Sequence, residues 1–150
     1  MKKRVQVAVG IIRNAQREVF LTQRGADSHL AGFWEFPGGK IEAGECAEDA
    51  LRRELDEEIG IEVQEARLLD SLSFEFADRH VHLYFFLVER YQGEPYGREG
   101  QHSAWVPQHT LTPEMFPEAN APVIRTLLEQ ARAEAQAQAP LRAESATKQQ

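Results

Sequence analysis

Strands, a helix, more strands and a closing helix follow one another along this chain, which predicts an α+β fold or a three-layer sandwich around a mixed sheet. Three observations carry that prediction. Residues 4–12 alternate, with Val5, Val7, Val9 and Ile11 on one side, the period of a strand. Residues 45–59 place Ala47, Ala50, Leu51, Leu55 and Ile59 at helical spacing. Val123, Ile124, Leu127, Leu128 and Ala131 repeat that spacing after Pro122, a residue tolerated in a helix's first turn.

The remaining elements fall between these. Residues 13–17 are a polar turn, and residues 18–23 a short return strand. A loop over residues 25–32 leads through Phe33-Trp34-Glu35-Phe36 into Pro37-Gly38-Gly39, a strong turn signal. The first helix has Glu48 and Asp49 near its positive end, and Gly60 is its natural stop. Residues 65–76 and 80–89 form two further strands around a turn at Ala77-Asp78-Arg79. A glycine-containing loop (93–101) and a last short strand (103–106) follow. Beyond Ala133 the chain is rich in Ala, Gln and Glu and meets Pro140. Residues 1–132 are therefore read as one domain, and residues 133–150 as a tail, a fraying helix followed by disorder.

A chain of 150 residues can bury a core without staples, and 42% hydrophobic residues suit a soluble globular protein. No apolar run approaches the roughly 18–20 residues that cross a bilayer. The basic start, Met1-Lys2-Lys3-Arg4, runs straight into a strand pattern without a cleavable apolar segment, so a cytoplasmic location is expected. Cys46 is the sole cysteine, which excludes an intrachain disulfide and a cysteine metal cage. With no evident His as its base, it reads as a gap-filling residue. The net charge of −7 argues against stable nucleic-acid binding. It leaves room for a triphosphate, provided metal ions sit between phosphates and carboxylates.

Glu54, Glu57 and Glu58 stand three and four residues apart, on one helix face largely away from the Leu51/Leu55/Ile59 stripe. Most Glu-rich helical stretches are solvated acidic faces. Here the preceding Gly38-Gly39 lets backbone approach an ion or phosphate closely, and Gly44-Glu45 adds a further carboxylate. Carboxylates so arranged suit a hard divalent cation such as Mg²⁺.

The spacing Gly39-x5-Glu45-x7-Arg53-Glu54-Leu55-x-Glu57-Glu58-x-Gly60-Ile61 matches every fixed position of the Nudix box. On these residues the chain resembles the Nudix hydrolases. The stretches 35–42, 78–80, 99–101 and 119–124 resemble in particular the branch that acts on oxidised purine nucleotides. The resemblance implies an α/β/α sandwich with a mixed, largely antiparallel sheet. It also implies a Mg²⁺-dependent diphosphatase, with Mn²⁺ as a possible substitute, splitting 8-oxo-dGTP to 8-oxo-dGMP and pyrophosphate by water attack at the β-phosphorus. Such an enzyme cleanses the nucleotide pool and is expected to be monomeric.

By the same resemblance Glu54, Glu57, Glu58, Glu99 and the Gly38 carbonyl hold the metal. Glu54 is the first choice of general base and Glu99 the second, while Arg53 braces the acidic face. Arg24, His29, Glu35, Phe36, Pro37, Gly38, Arg79 and Asn120 contact the nucleotide. The resemblance places Asn120 to read the purine edge; by position alone, before a Pro-led helix, it reads as an N-cap. The alternatives are another nucleotide substrate, such as a dinucleotide polyphosphate or nucleotide sugar, and a nucleotide-sensing module without turnover. Subfamilies of the first kind often carry a Pro or Tyr about fifteen residues past the box, and residues 62–83 contain neither. A module without turnover would be expected to lack box carboxylates, and none is missing.

Overall fold

The computed structural model describes residues 2–27 and 30–148, with side chains through residue 137. Its elements run β1 (Lys3–Ile12), β2 (Glu18–Gln23), β3 (Trp34–Glu35), β4 (Gly38–Lys40), α1 (Ala47–Ile59), β5 (Glu62–Glu75), β6 (Arg79–Gln92), β7 (Ser103–Pro107) and α2 (Ala121–Lys148). Short 3-10 turns at Gln108–Thr110, Pro113–Met115 and Glu118–Asn120 connect β7 to α2.

β1 is the centre of the molecule. It pairs in parallel with β6 and antiparallel with β4, and β5 adds to the far side of β6, giving the order β4-β1-β6-β5. β2, β3 and β7 form a second, antiparallel sheet. The sheet is mixed, as predicted.

The alternation along β1 sorts two cores. Val9 and Ile11 join Phe85, Leu87, Ile124 and Leu127 under α2. Ala8 and Ile12 join Phe86, Leu51, Leu55 and Ile59 under α1. A strand buried on both faces fixes its register strongly, because a one-residue slip would exchange the two cores.

Three local expectations are corrected. The return strand β2 does not pair along β1; a single bridge, Arg13 to Val19, joins them, and β2 pairs instead with β7. Both edges of β1 are already taken by β4 and β6. Gly38-Gly39 is not a free turn but the edge strand β4, paired with Ala8 and Val9. The first helix begins at Ala47 rather than at residue 45, because the Glu45 carboxylate folds back to accept the Glu42 N–H at 2.9 Å. α2 itself runs on through Pro140 to Lys148. An Ala-rich helix can lose one backbone bond there and still propagate.

A buried polar bridge ties α2 to the sheet. The Arg13 guanidinium donates to Gln108 Oε1 at 3.0 Å and to Glu89 Oε2 at 3.0 and 3.2 Å. Gln108 in turn donates to the Leu127 carbonyl at 2.8 Å. Arg13 and Gln108 are almost fully buried, so each needs the other. Gln108→Ala would leave Arg13 short of an acceptor. It should cost about 1–3 kcal/mol of stability in denaturant melts; a loss below ~0.5 kcal/mol would remove the bridge from the stabilising contacts.

Candidate active site

The site is assembled around one guanidinium. Arg53, on α1, donates to both oxygens of Glu45 at 2.8 and 2.9 Å, to Glu54 Oε1 at 2.8 Å and to the Lys40 carbonyl at 3.0 Å. Bidentate pairing of this kind fixes both partners in position as well as in charge. Hydrogen bonds from Arg53 and from the Glu42 N–H hold the Glu45 carboxyl down at about 2, and Glu45 and Glu54 hold the Arg53 proton more tightly than usual. Glu45 thus serves Arg53 and the turn before α1, and Arg53 holds Glu54.

Glu54 and Glu58 then meet the glycine strand β4. A Cβ on Gly39 would stand 2.3 Å from Glu54 Cδ, so the carboxylate occupies the space a side chain would fill. Glu58 Oε2 accepts the Gly38 N–H at 2.8 Å. Glu58 is the desolvated member of the group. Burial pushes its carboxyl up to about 8, opposed by the Gly38 N–H and reinforced by the negative charges of Glu54, Glu35 and Glu99. Glu57 stands apart: its side chain is 60% exposed, 3.7 Å from Arg53.

Among the described residues, no three His, Cys, Asp or Glu side chains already stand together as a ready metal cluster. The donor chemistry nonetheless fits a hard cation. Glu58 is partly desolvated and feels the negative charges of Glu54, Glu35 and Glu99, an accumulation of charge that a cation would relieve.

Two clefts join here. The first, of about 190 Å³, is lined by Arg24, Glu35, Glu58, Glu99 and Gln101. The second, of about 330 Å³, brings together Arg24, Glu35, Phe36, Gly38, Arg79 and Asn120. Arg24 and Glu35 border both clefts and are paired at 2.8 Å. Phe36 stacks on Phe116, with ring centres 5.0 Å apart, and Arg79 lies 5.4 Å over the Phe76 ring. Pro37 is buried, its carbonyl accepting from the Gly10 N–H at 2.8 Å, and it lies outside both sets of cleft residues. His29 lies outside the described residues.

Asn120 ends a 3-10 turn immediately before α2, and its side-chain NH₂ donates back to the Pro117 carbonyl at 3.2 Å. A capping side chain accepts from the helix instead. Trp34 packs against the α2-side core, outside both sets of cleft residues.

Sequence reasoning missed Phe74, Phe76, Val81 and Leu83, the apolar wall of the larger cleft. Their signal was the alternation of β5 and β6, which shows a shared face but not what that face lines. Gln101 was also missed as a cleft residue.

The NUDIX domain model matches residues 2–127. The 8-oxo-dGTP diphosphatase of Escherichia coli K12 is 54% identical over 125 residues, covering 83% of this chain and 97% of that protein. The enzyme of the same name from Haemophilus influenzae is 50% identical over 127 residues, covering 85% of this chain and 93% of its own length. A solved structure from a study of MutT of Aliivibrio salmonicida and Vibrio cholerae superposes with a TM-score of 0.75 at 46% identity. It covers 85% of this chain and 99% of the other.

The two neighbouring glycines should fail differently. Gly39→Ala meets only the movable end of Glu54, so it should fold and lose turnover about 10²-fold as the carboxylate is displaced. Gly38→Ala would put its Cβ 2.1 Å from the Ala8 carbonyl oxygen, so it should lower the melting temperature sharply. Circular-dichroism melts beside turnover assays check both, and full activity in Gly39→Ala would contradict the placement of Glu54.

Stability should also depend on pH through Glu58. Folding raises its pKa from 4.5 to about 8, so the neutral carboxyl's contribution is intact below 4.5 and is lost as pH rises through about 8. In chelator, denaturant midpoints should fall across that window, and added Mg²⁺ or Glu58→Gln should flatten the fall. An identical slope in Glu58→Gln would assign the effect elsewhere.

Proposed function

The chain belongs to the NUDIX domain family, and on that premise we propose that it is a Mg²⁺-dependent diphosphatase hydrolysing 8-oxo-dGTP to 8-oxo-dGMP and pyrophosphate. One observation carries the proposal: a cleft of about 330 Å³, lined by Phe36 and Asn120 among others, shares the Arg24–Glu35 pair with the smaller cleft lined by Glu58 and Glu99. A base in the larger cleft leaves its phosphates against Glu58 and Glu99. The names of the two enzymes it matches at 50% identity or better point to the same substrate.

Nudix hydrolases generally need a divalent metal, and Glu54, Glu57, Glu58, Glu99 and the Gly38 carbonyl would hold it here. When bound, it neutralises phosphate charge and makes water a stronger nucleophile. The protein's own groups do the rest. Glu54, held by Arg53, is the first choice to take the proton from water attacking the β-phosphorus; Glu99 is the second. Arg24 sits at the junction of base and phosphate clefts, where a guanidinium suits a phosphate oxygen.

Asn120 supports the oxidised purine in particular. With its NH₂ held by the Pro117 carbonyl, its amide presents an oxygen acceptor. Oxidation at C8 turns purine N7 from an acceptor into an N–H donor, which that oxygen can accept. Unoxidised dGTP would set lone pair against lone pair, and unpaired buried polar groups cost about 1–3 kcal/mol each. Clearing this nucleotide keeps a mispairing base out of replication. The free, exposed Cys46 suits the reducing cytoplasm.

Steady-state kinetics on dGTP and 8-oxo-dGTP should show a higher kcat/KM for the oxidised form. Asn120→Ala should erode that preference about ten-fold, with the melting temperature nearly unchanged. Hydrolysis in ¹⁸O-water should label pyrophosphate and leave the monophosphate unlabelled. Equal kcat/KM for the two nucleotides in the unmutated protein would end the proposal, and label in the monophosphate would exclude β-attack.

A further inference from the structure

The loop carrying Glu99 (residues 93–101) is fastened to the C-terminal end of α1. The last carbonyls of a helix lack intrahelical partners, and this loop supplies them. The Tyr96 N–H donates to the Ile59 carbonyl at 3.1 Å, and the Arg98 N–H to the Glu58 carbonyl at 3.0 Å. The Arg98 guanidinium reaches the Asp56 carbonyl at 2.9 Å. These contacts dock the loop, but none of them engages Glu99 itself.

Gln101 does. Its side-chain Nε2 donates to the Glu58 carbonyl at 3.3 Å, and its Oε1 accepts the Glu99 N–H at 2.9 Å. One amide therefore spans the main chains of two carboxylate residues far apart in sequence, and it lines the cleft that both share. The chemistry requires glutamine. A carboxylate would lose the donor, and asparagine, one methylene shorter, would not reach across both groups. Just beyond, the His102 carbonyl accepts from the Gln23 N–H at 2.9 Å, so the loop's far end is anchored to β2. Between that anchor and α1, a turn closed by the Gly100 N–H on the Gly97 carbonyl at 3.0 Å brackets Glu99, and the Gln101 side chain is the one that takes the Glu99 N–H itself.

We propose that Gln101 is a positioning residue for the metal site: its amide locks the Glu99 backbone to that of Glu58, and so sets the separation of their two carboxylates. The proposal rests on the reading of Glu99 as a metal ligand. In this role Gln101 acts through Glu99, not as a metal ligand of its own.

The test uses the full chain in four forms: unmutated, Gln101→Met, Glu99→Gln and the double variant. Mn²⁺ binding without nucleotide is measured by calorimetry, and amide exchange over residues 97–101 is followed in chelator. Gln101→Met should weaken Mn²⁺ binding on the order of ten-fold, the usual effect of releasing a group that orients a ligand. It should also speed exchange at the Glu99 amide without metal. The double variant should bind no more weakly than Glu99→Gln alone, since both changes remove one interaction. If Glu99→Gln weakens binding and Gln101→Met does not, the proposal fails while the ligand reading stands. Additive losses, or an unchanged Glu99 amide, would make Gln101 merely structural and also overturn it. If Glu99→Gln leaves binding unchanged, the ligand reading fails and this proposal with it. Should Gln101→Met not fold, Gln101→Ala removes the same two hydrogen bonds and is read in the same way.

Discussion

The Arg53 guanidinium is the charge on which the acidic site depends. α1 concentrates Glu54, Glu57 and Glu58 on one face, and like charges three and four residues apart oppose helix formation. Arg53 answers from within the same helix, but it does not simply neutralise the nearest acid. It recruits Glu45 from the preceding turn and the Lys40 carbonyl from β4, and through them holds the start of α1 against the sheet. Glu54 is caught between this guanidinium and Gly39, where there is no side chain to displace it. Position and charge are settled by the same contact.

A second constraint follows from β1 being buried on both faces. Its Ala8/Ile12 face receives α1, its Val9/Ile11 face receives α2, and its edges are filled by β4 and β6. The two ends of the proposed site, the carboxylates on α1 and Asn120 before α2, are thus measured from one strand. The Arg13–Gln108–Leu127 bridge adds a polar lock on the α2 side. Non-directional apolar packing would let a helix slide; a buried hydrogen-bond chain fixes one register, because every shifted register strands a polar group.

Glu58 shows how the fold holds a group in an unfavourable state. It is half-buried, within the electrostatic reach of three other carboxylates, with one backbone N–H for compensation. That arrangement is poor for the metal-free protein and suited to binding a cation. Perturbed carboxyls of this kind cluster at functional sites, which is in keeping with the proposed role of Glu58.

The sequence by itself determined the α+β class, the span of α1 to within two residues and the acidic face it carries. It also determined the β1 alternation that separates the two cores. Each of these is written in short-range periodicity, 3.6 residues for a helix and two for a strand, which a single segment displays without its partners. What the segment could not display was partnership. The pattern of β2 says nothing about whether it returns to β1 or crosses to β7, and Pro37-Gly38-Gly39 looks the same as a turn or as an edge strand. Glu99 was joined to Glu58 only through the resemblance, never by spacing; the tertiary structure alone paired Arg24 with Glu35 and turned the alternating faces of β5 and β6 into the wall of a cleft. It also drew the Asn120 NH₂ back onto Pro117, away from the helix it precedes. The reason is physical: strand pairing and loop docking satisfy hydrogen bonds between residues far apart in the chain, and the donor that meets a given carbonyl is chosen by the packing of the whole.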